Sequence, residues 1–488
     1  MGWNRGIMRI SLRLIPRIER NATLCKLGST VWGRLLFVAI FCLLLRASQQ
    51  PSWYVVGLPL AAIAAFPSRR RLLTALASTA WAFTYLRVGW ELPYRLSGFG
   101  HTVVVPFGYL VLAVFYVLAA ILIHWAGRRP DHWFFRRPVR NILLLYAALL
   151  MPASYLDTSK YWVHVVLVFL LIAGKYLWFL LYGLVDRKRL RSSSAPIQVG
   201  FYRPFWGSTN VPFPKGESYL AKIEAKTDLA FAVSQLKGIK LMVWAIVLML
   251  ARTLFDELVH GIPASPQGYW LGYHAVIPNL HQAMVAFQRG YPIERALCWF
   301  SVFANYADNI FAISIMGHVI VAGCRMAGFC ALRNTYKPCL APTVAEFYNR
   351  IYYYFKELLV DLFFYPAYFR YFKNRPRTRL FFATISAACF GNVLFHFFRD
   401  YQPIMALGFW HALFGIRVYF IYGLILGVAI GISQVRSLSR PRPRQSPLRV
   451  IPIVAFYSLL MILDDPSRAW SIHDYAAFIL NLFTPTHP

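Results

Sequence analysis

The sequence predicts an all-α, polytopic integral membrane protein, and three observations predict it. Of 488 residues 58% are hydrophobic and only 14% charged, a more apolar chain than a soluble domain of this size. Apolar runs close to the roughly 20 residues that a helix needs to cross the hydrocarbon core recur throughout, without the short alternating segments of a barrel. The cations sit mainly in the turns between these runs, as the positive-inside rule requires.

That placement explains a formal charge of +32, from 51 Lys and Arg against 19 Asp and Glu, which in a soluble protein would point to nucleic acid. Here topology accounts for the charge, and nucleic-acid binding is not expected. The basic turns would also attract anionic lipid headgroups. A basic cytoplasmic mouth would favour an anionic acyl thioester donor. The seven cysteines, Cys25, Cys42, Cys298, Cys324, Cys330, Cys339 and Cys389, include no C-x-x-C pair. They read as small buried hydrophobes, so neither a disulfide frame nor a metal site is expected.

Residues 1–30 carry Arg5, Arg9, Arg13, Arg17 and Arg20 among Ile, Leu and Met, a basic amphipathic stretch suited to the inner leaflet and without a clear cleavage site. Apolar runs follow near 31–47, 53–67, 72–90, 103–125, 141–156 and 160–185. Their turns alternate in charge, Arg69-Arg70-Arg71, the group Arg128 to Arg140 and Arg187-Lys188-Arg189 marking one side, so the N-terminus is expected in the cytoplasm. A loop rich in Arg, Pro, Gly and Ser over 186–217 ends this half. An amphipathic segment at 218–236 leads into a helix at 239–257, the cation-free turn 258–267 is placed outside, 268–290 is interfacial, and 296–323 crosses back.

The aromatic stretch 346–369 has basic flanks on both sides, Arg325, Arg333 and Lys337 before it and Arg370 to Arg379 after it. It should therefore begin and end on one side, as a re-entrant or interfacial segment that protein must bury. Helices at 380–398, 405–431 and 450–464 follow, and 474–484 is a last helix or an interfacial cap. The count is about eleven or twelve transmembrane helices. No internal repeat is visible.

His396 ends the otherwise apolar run Gly391-Asn392-Val393-Leu394-Phe395-His396. An ionisable group inside a membrane segment is a functional candidate by default. His411, in Gly408-Phe409-Trp410-His411, is the rival, set apart by the turn 399–404. Asp308 is a buried carboxylate whose plain explanation is pairing with a helix-borne cation, and Arg417 is equally open to a structural reading.

The second half resembles the membrane-bound O-acyltransferase family, nearest to its bacterial branch of polysaccharide and cell-envelope acyltransferases. The residues that carry the resemblance are Arg325-Met326-Ala327-Gly328-Phe329, Asn334, Pro338-Cys339-Leu340, Glu346-Phe347-Tyr348-Asn349-Arg350-Ile351-Tyr352, Asp361-Leu362-Phe363-Phe364, the basic turn 370–379 and Leu394-Phe395-His396. Upstream, Lys237-Gly238-Ile239-Lys240 resembles a family helix start. The likeness covers roughly 230–430, and the first 220 residues match only in being apolar. Tyr352 stands where the family often has a second histidine, and His318 where it often has an aspartate before the Arg-Met stretch.

The resemblance implies acyl transfer inside a membrane tunnel with His396 in the catalytic place, and Tyr352, Asn349, Glu346 and His318 lining or orienting the site. A family-like core would span 218–464, between the segments 31–217 and 465–488. Expected partners are membrane lipid, an acyl-CoA or acyl-carrier thioester as co-substrate, and a hydroxyl of an envelope polysaccharide, glycolipid or lipid. An extracytoplasmic partner protein is a further expectation, and no bound cofactor is implied. The expected location is the bacterial inner membrane. A helix 380–398 starting inside, at about 1.5 Å per residue, puts His396 in the outer half of the bilayer. A transporter or flippase of an envelope precursor, or an inactive scaffold with Tyr352 as its mark, are the alternatives. Two symmetry-related halves would favour transport.

Overall fold

The computed structural model describes residues 15–48, 53–88, 101–157, 159–189, 195–207, 216–265, 268–272, 275–291, 293–399, 402–439, 447–464 and 470–484. Arg5, Arg9 and Arg13 of the N-terminal stretch, and the basic turn holding Arg440, Arg442 and Arg444, lie outside them. The first half contains α1 (Ala22–Gly28), α2 (Val31–Ala47), α3 (Trp53–Ala65), α4 (Arg70–Val88), α5 (His101–Arg128), α6 (Trp133–Arg136), α7 (Pro138–Ala153), α8 (Tyr161–Arg189) and α9 (Ala195–Gly200). The short α10 (Glu217–Ile223), the long α11 (Asp228–His260), α12 (Leu280–Gln288) and the long α13 (Arg295–Met326) come next. The chain then breaks into α14 (Val344–Ile351), α15 (Tyr353–Leu359), α16 (Tyr365–Arg370), α17 (Pro376–Ile385), α18 (Asn392–Arg399), α19 (Gln402–Leu407) and α20 (Phe409–Gly415). It ends with α21 (Arg417–Ser439), α22 (Pro447–Leu460) and α23 (Ile472–Phe483). Among the described residues there is no strand, only the isolated bridges Glu224–Phe329 and Ser265–Gly268.

Six helical stretches are long and apolar enough to cross a bilayer: Gly108–Arg128, Val165–Arg187, Asp228–His260, Arg295–Met326, Pro376–Arg399 and Arg417–Ser439. The α1–α2 pair, bent by 102°, would make a seventh, and Trp53–Ala65, Pro138–Ala153 and Leu448–Leu463 are shorter apolar helices. The chain is thus an all-α integral membrane protein with fewer full-length spans among the described residues than the eleven or twelve expected. Two runs show why. The run 72–90 falls in α4, whose Arg70, Arg71, Thr74, Ser78, Thr79 and Thr84 make it too polar to qualify. The run 405–431, expected as one helix, is three helices, because Gly408 adopts φ +83 against the Tyr155 ring while Ser154 Oγ and Tyr155 OH accept the N–H groups of Phe409 and Trp410. Conversely, the amphipathic segment expected at 218–236 divides into α10 and the start of α11, which runs on through the helix expected at 239–257, started by Thr227 capping Ala230 N–H and stopped by Gly261 at φ 64.

Between helices in lipid the tails are as apolar as leucine, so close packing and polar pairs hold the bundle. Gly423, Gly427 and Gly431 repeat every fourth residue along α21 and bring its backbone against Cys389, Ile385 and Phe381. Gly238 does the same for α11 against α13 at Ala322 and Met326. Higher up the same helix pair, Arg252 grips Asp308 at two points, Nε to Oδ1 at 2.6 Å and Nη2 to Oδ2 at 3.1 Å. That accounts for Asp308, which is half-buried and not fully buried as the sequence suggests. The core also crosses residue 217, where the sequence suggests a boundary: the Trp178 ring on α8 lies 5.1 Å from Phe395 on α18, and Arg34 reaches Asp228 at 2.6 Å.

The stretch 346–369 behaves in part as a re-entrant segment should. Ala345 N–H donates to Ser433 Oγ, and at the far end Arg379 donates to Tyr368 OH while Arg377 donates to Ser439. Its two ends therefore meet one end of the α17–α21 pair. Between them the helix breaks at Tyr352, φ −126 and ψ 55, and then passes through a π-helical turn at Val360–Phe364.

A charged cluster lies beneath α10. Asp186 accepts the Ser218 N–H at 2.9 Å and also its hydroxyl. Glu217, 4% exposed, faces Arg71 at 3.7 Å. Burial pushes the Glu217 carboxyl up to about 7; Arg71 and Arg187 pull it down, and Asp186 adds to the rise. A carboxyl raised above its ordinary value favours the folded chain when protonated. Its contribution is full below about 4.5 and is lost as pH rises through about 7. Glu217→Gln should melt with the wild type at pH 4.5 and above it at pH 8, by about 3 kcal/mol as an order of magnitude. Equal melting temperatures at pH 8 would contradict this.

Candidate functional site

The site is built by a second π-helical turn, Ser386–Gly391, inserted between α17 and α18. Such turns insert an extra residue into a helix and frequently mark functional positions. The two π-helical turns among the described residues touch: a Cβ on Gly391 would fall 2.6 Å from the Phe363 ring, so only glycine allows this approach. The insertion sets which face of α18 looks inward. Asn392, Phe395, His396 and Arg399 share one face, and Val393, Leu394, Phe397 and Phe398 the other.

His396 is half-buried, with its ring 4.5 Å from Tyr419, 5.4 Å from Phe395 and 6.1 Å from Phe355. Phe355 leads on to Tyr352 at 6.3 Å, and Tyr352 to Tyr348 at 6.2 Å. Tyr419 OH donates to Asn392 Oδ1 at 3.4 Å and lies within electrostatic reach of Tyr348, Tyr352, Asp464 and Arg399. The hydroxyl of Tyr348 is buried without a hydrogen-bond partner among the described residues. Rings from α15, α18 and α21 thus pack against one imidazole, and an aromatic row through Tyr352 connects it to Tyr348 on α14.

The tautomer of that imidazole follows from its neighbour. Arg399 Nη2 lies 3.1 Å from His396 Nδ1. A guanidinium can only donate, so Nδ1 is the accepting nitrogen and the neutral ring carries its proton on Nε2. To take a proton at Nδ1 the ring must lose Arg399; to take one at Nε2 it must first change tautomer.

The remaining candidates fall elsewhere. Glu346 is bound by Arg350 on its own helix at 3.0 Å, and Arg350 also donates to the carbonyls of Lys337 and Leu340. Asn349 is exposed on the same outward face of α14. No described contact joins either to His396. The α14 residues turned inward are Phe347, Tyr348 and Ile351. His318 is buried in α13, where its Nδ1 donates to the Ser314 carbonyl at 2.6 Å, and its charged surroundings are Arg325 and Arg333. It is not in contact with His396 among the described residues. His411 is exposed on α20. Arg417 stacks on Phe414, with 3.9 Å from its guanidinium carbon to the ring centre.

A cavity of about 1070 Å³ runs along the opposite face of α18, lined by Val393, Leu394, Phe397 and Phe398 but not by His396. A tunnel around the histidine was the expectation, and this cavity passes behind it. No protein-family model matches the chain, and no curated protein matches it.

Sequence reasoning missed Tyr419 and Arg399 as neighbours of His396, and Asn392 and Asp464 as neighbours of Tyr419. Arg399, three residues on, was legible from helical spacing. The approach of Tyr419 depends on how α21 packs, which no local pattern states.

Proposed function

We propose that the chain is a membrane-embedded O-acyltransferase that moves an acyl group from a thioester to a hydroxyl of an envelope polysaccharide, glycolipid or lipid, with His396 as general base. The observation that carries this reading is one imidazole packed among the Tyr419, Phe395 and Phe355 rings, with Tyr352 and Tyr348 continuing the aromatic row from Phe355 and the Tyr348 hydroxyl buried without a hydrogen-bond partner among the described residues. The ordered motifs from Arg325 to His396 agree with it. A hydroxyl is a poor nucleophile until a base takes its proton, and neutral imidazole suits that task near pH 7.

In this reading Arg399 leaves Nδ1, and His396 accepts the acceptor's proton as the oxygen attacks the thioester carbonyl. A new C–O bond forms, the tetrahedral intermediate collapses, the C–S bond breaks, and the imidazolium returns the proton to the thiolate. Tyr352 and Tyr348 have hydroxyls that could orient either substrate. The location that fits is a bacterial inner membrane with the N-terminus in the cytoplasm.

The test is reconstitution into liposomes with a panel of radiolabelled acyl thioesters and envelope extracts as acceptor source. One thiol released per hydroxylamine-labile ester formed is the expected result. Label that crosses the bilayer with its thioester intact would overturn the reading in favour of transport.

A further inference from the structure

The cavity on the far side of α18 has two unlike ends. Arg136 and Arg137 at the α6–α7 junction, Arg140 in the first turn of α7 and Arg370 at the end of α16 line one of them, four arginines against the single carboxylate Asp361 in the wall. From Arg140 to Ala147 the wall then descends about 10 Å along α7, at about 1.5 Å per residue. It becomes wholly apolar, closing on Phe397, Phe398 and Ile416. Tyr365, Phe369 and Tyr371 stand exposed beside the arginine end, the kind of aromatic belt found at the membrane–water interface. The cavity is open sideways: Leu144 is 61% exposed and Leu413 41%, so its wall faces the surrounding lipid.

We propose that this cavity is a binding site for an anionic glycerophospholipid of the surrounding bilayer, its phosphate held by the arginines and an acyl chain laid along α7 and α18. Charge complementarity selects the headgroup, since a zwitterionic lipid offers the arginines no net charge. Basic pockets between spanning helices recognise anionic lipids in this way. The occupant is not the reacting donor, because the wall contains neither histidine nor any other ready proton acceptor beyond Asp361, and His396 is on the other face of α18. The site is independent of the acyl-transfer reading and would stand if that reading failed.

The experiment is melting of the detergent-purified full chain titrated with palmitoyl-oleoyl phosphatidylglycerol, the matching phosphatidylcholine, inorganic phosphate or palmitoyl coenzyme A. Phosphatidylglycerol should raise the melting temperature saturably, and phosphatidylcholine and phosphate should not. The triple variant Arg136→Gln, Arg140→Gln, Arg370→Gln should weaken the phosphatidylglycerol midpoint about a hundredfold while melting like the wild type in phosphatidylcholine. Leu144→Trp, which fills the cavity and spares the arginines, should weaken it too. Equal stabilisation by both lipids, or by phosphate alone, would overturn the proposal. So would a response to palmitoyl coenzyme A only, which would give the cavity to the donor.

Discussion

Replacing His396 with alanine should reduce acyl transfer by about a hundredfold to ten-thousandfold, the usual weight of a positioned general base. Glutamine at 396 should do nearly the same, because it keeps a polar side chain against Tyr419 but cannot take a proton at neutral pH. His411→Ala should leave the rate within about twofold, as expected of an exposed side chain on α20. The measurement is initial rate per folded molecule, with abundance and melting temperature matched across the three variants. Retained activity in His396→Gln would remove His396 as the base, and loss in His411→Ala would move the chemistry to α20.

Gly391→Val should be the most damaging substitution of a residue that carries no functional group. Its Cβ would lie 2.6 Å from the Phe363 ring, where one π-helical turn meets the other, so α18 or the ring must move. Overpacking of this kind costs about 1–3 kcal/mol. A displacement of α18 by even 1 Å would lower catalysis by about a hundredfold. Adding Phe363→Ala should relieve the clash and recover most of both losses. Thermal melting and transfer rate in the four chains of this double-mutant cycle provide the check. An additive pair would mean that Gly391 is not held against Phe363.

The membrane-spanning class was legible because composition, run length and turn charge all report the same solvent. Spans such as α13 and α17–α18 lie where apolar runs end in arginine. What failed to read were breaks imposed from outside the segment. The kink at Gly408 depends on Tyr155, 253 positions earlier, and a glycine in an apolar run looks like any other small packing residue. The π-helical turn at Ser386–Gly391 left no mark that a helical pattern would show.

At the site, His396 stood out because a lone titratable group in an apolar run is costly. Grouping it with Glu346 and Asn349 relied on motif order. Order does not say which face of α14 turns inward, and there Phe347, Tyr348 and Ile351 do. Tyr348, inside the same motif, is the residue that the aromatic row through Tyr352 and Phe355 connects to His396. Glu346 is instead satisfied by Arg350 one turn on.

That transfer takes place on the His396 face of α18 is tested most directly by photolabelling with a non-hydrolysable acyl thioether that carries a diazirine beside the position of the carbonyl. Label assigned at residue level to Tyr352, His396 or Tyr419 is the result this account predicts. Label confined to Leu143, Leu144 and Phe397, in the cavity behind the helix, would contradict it.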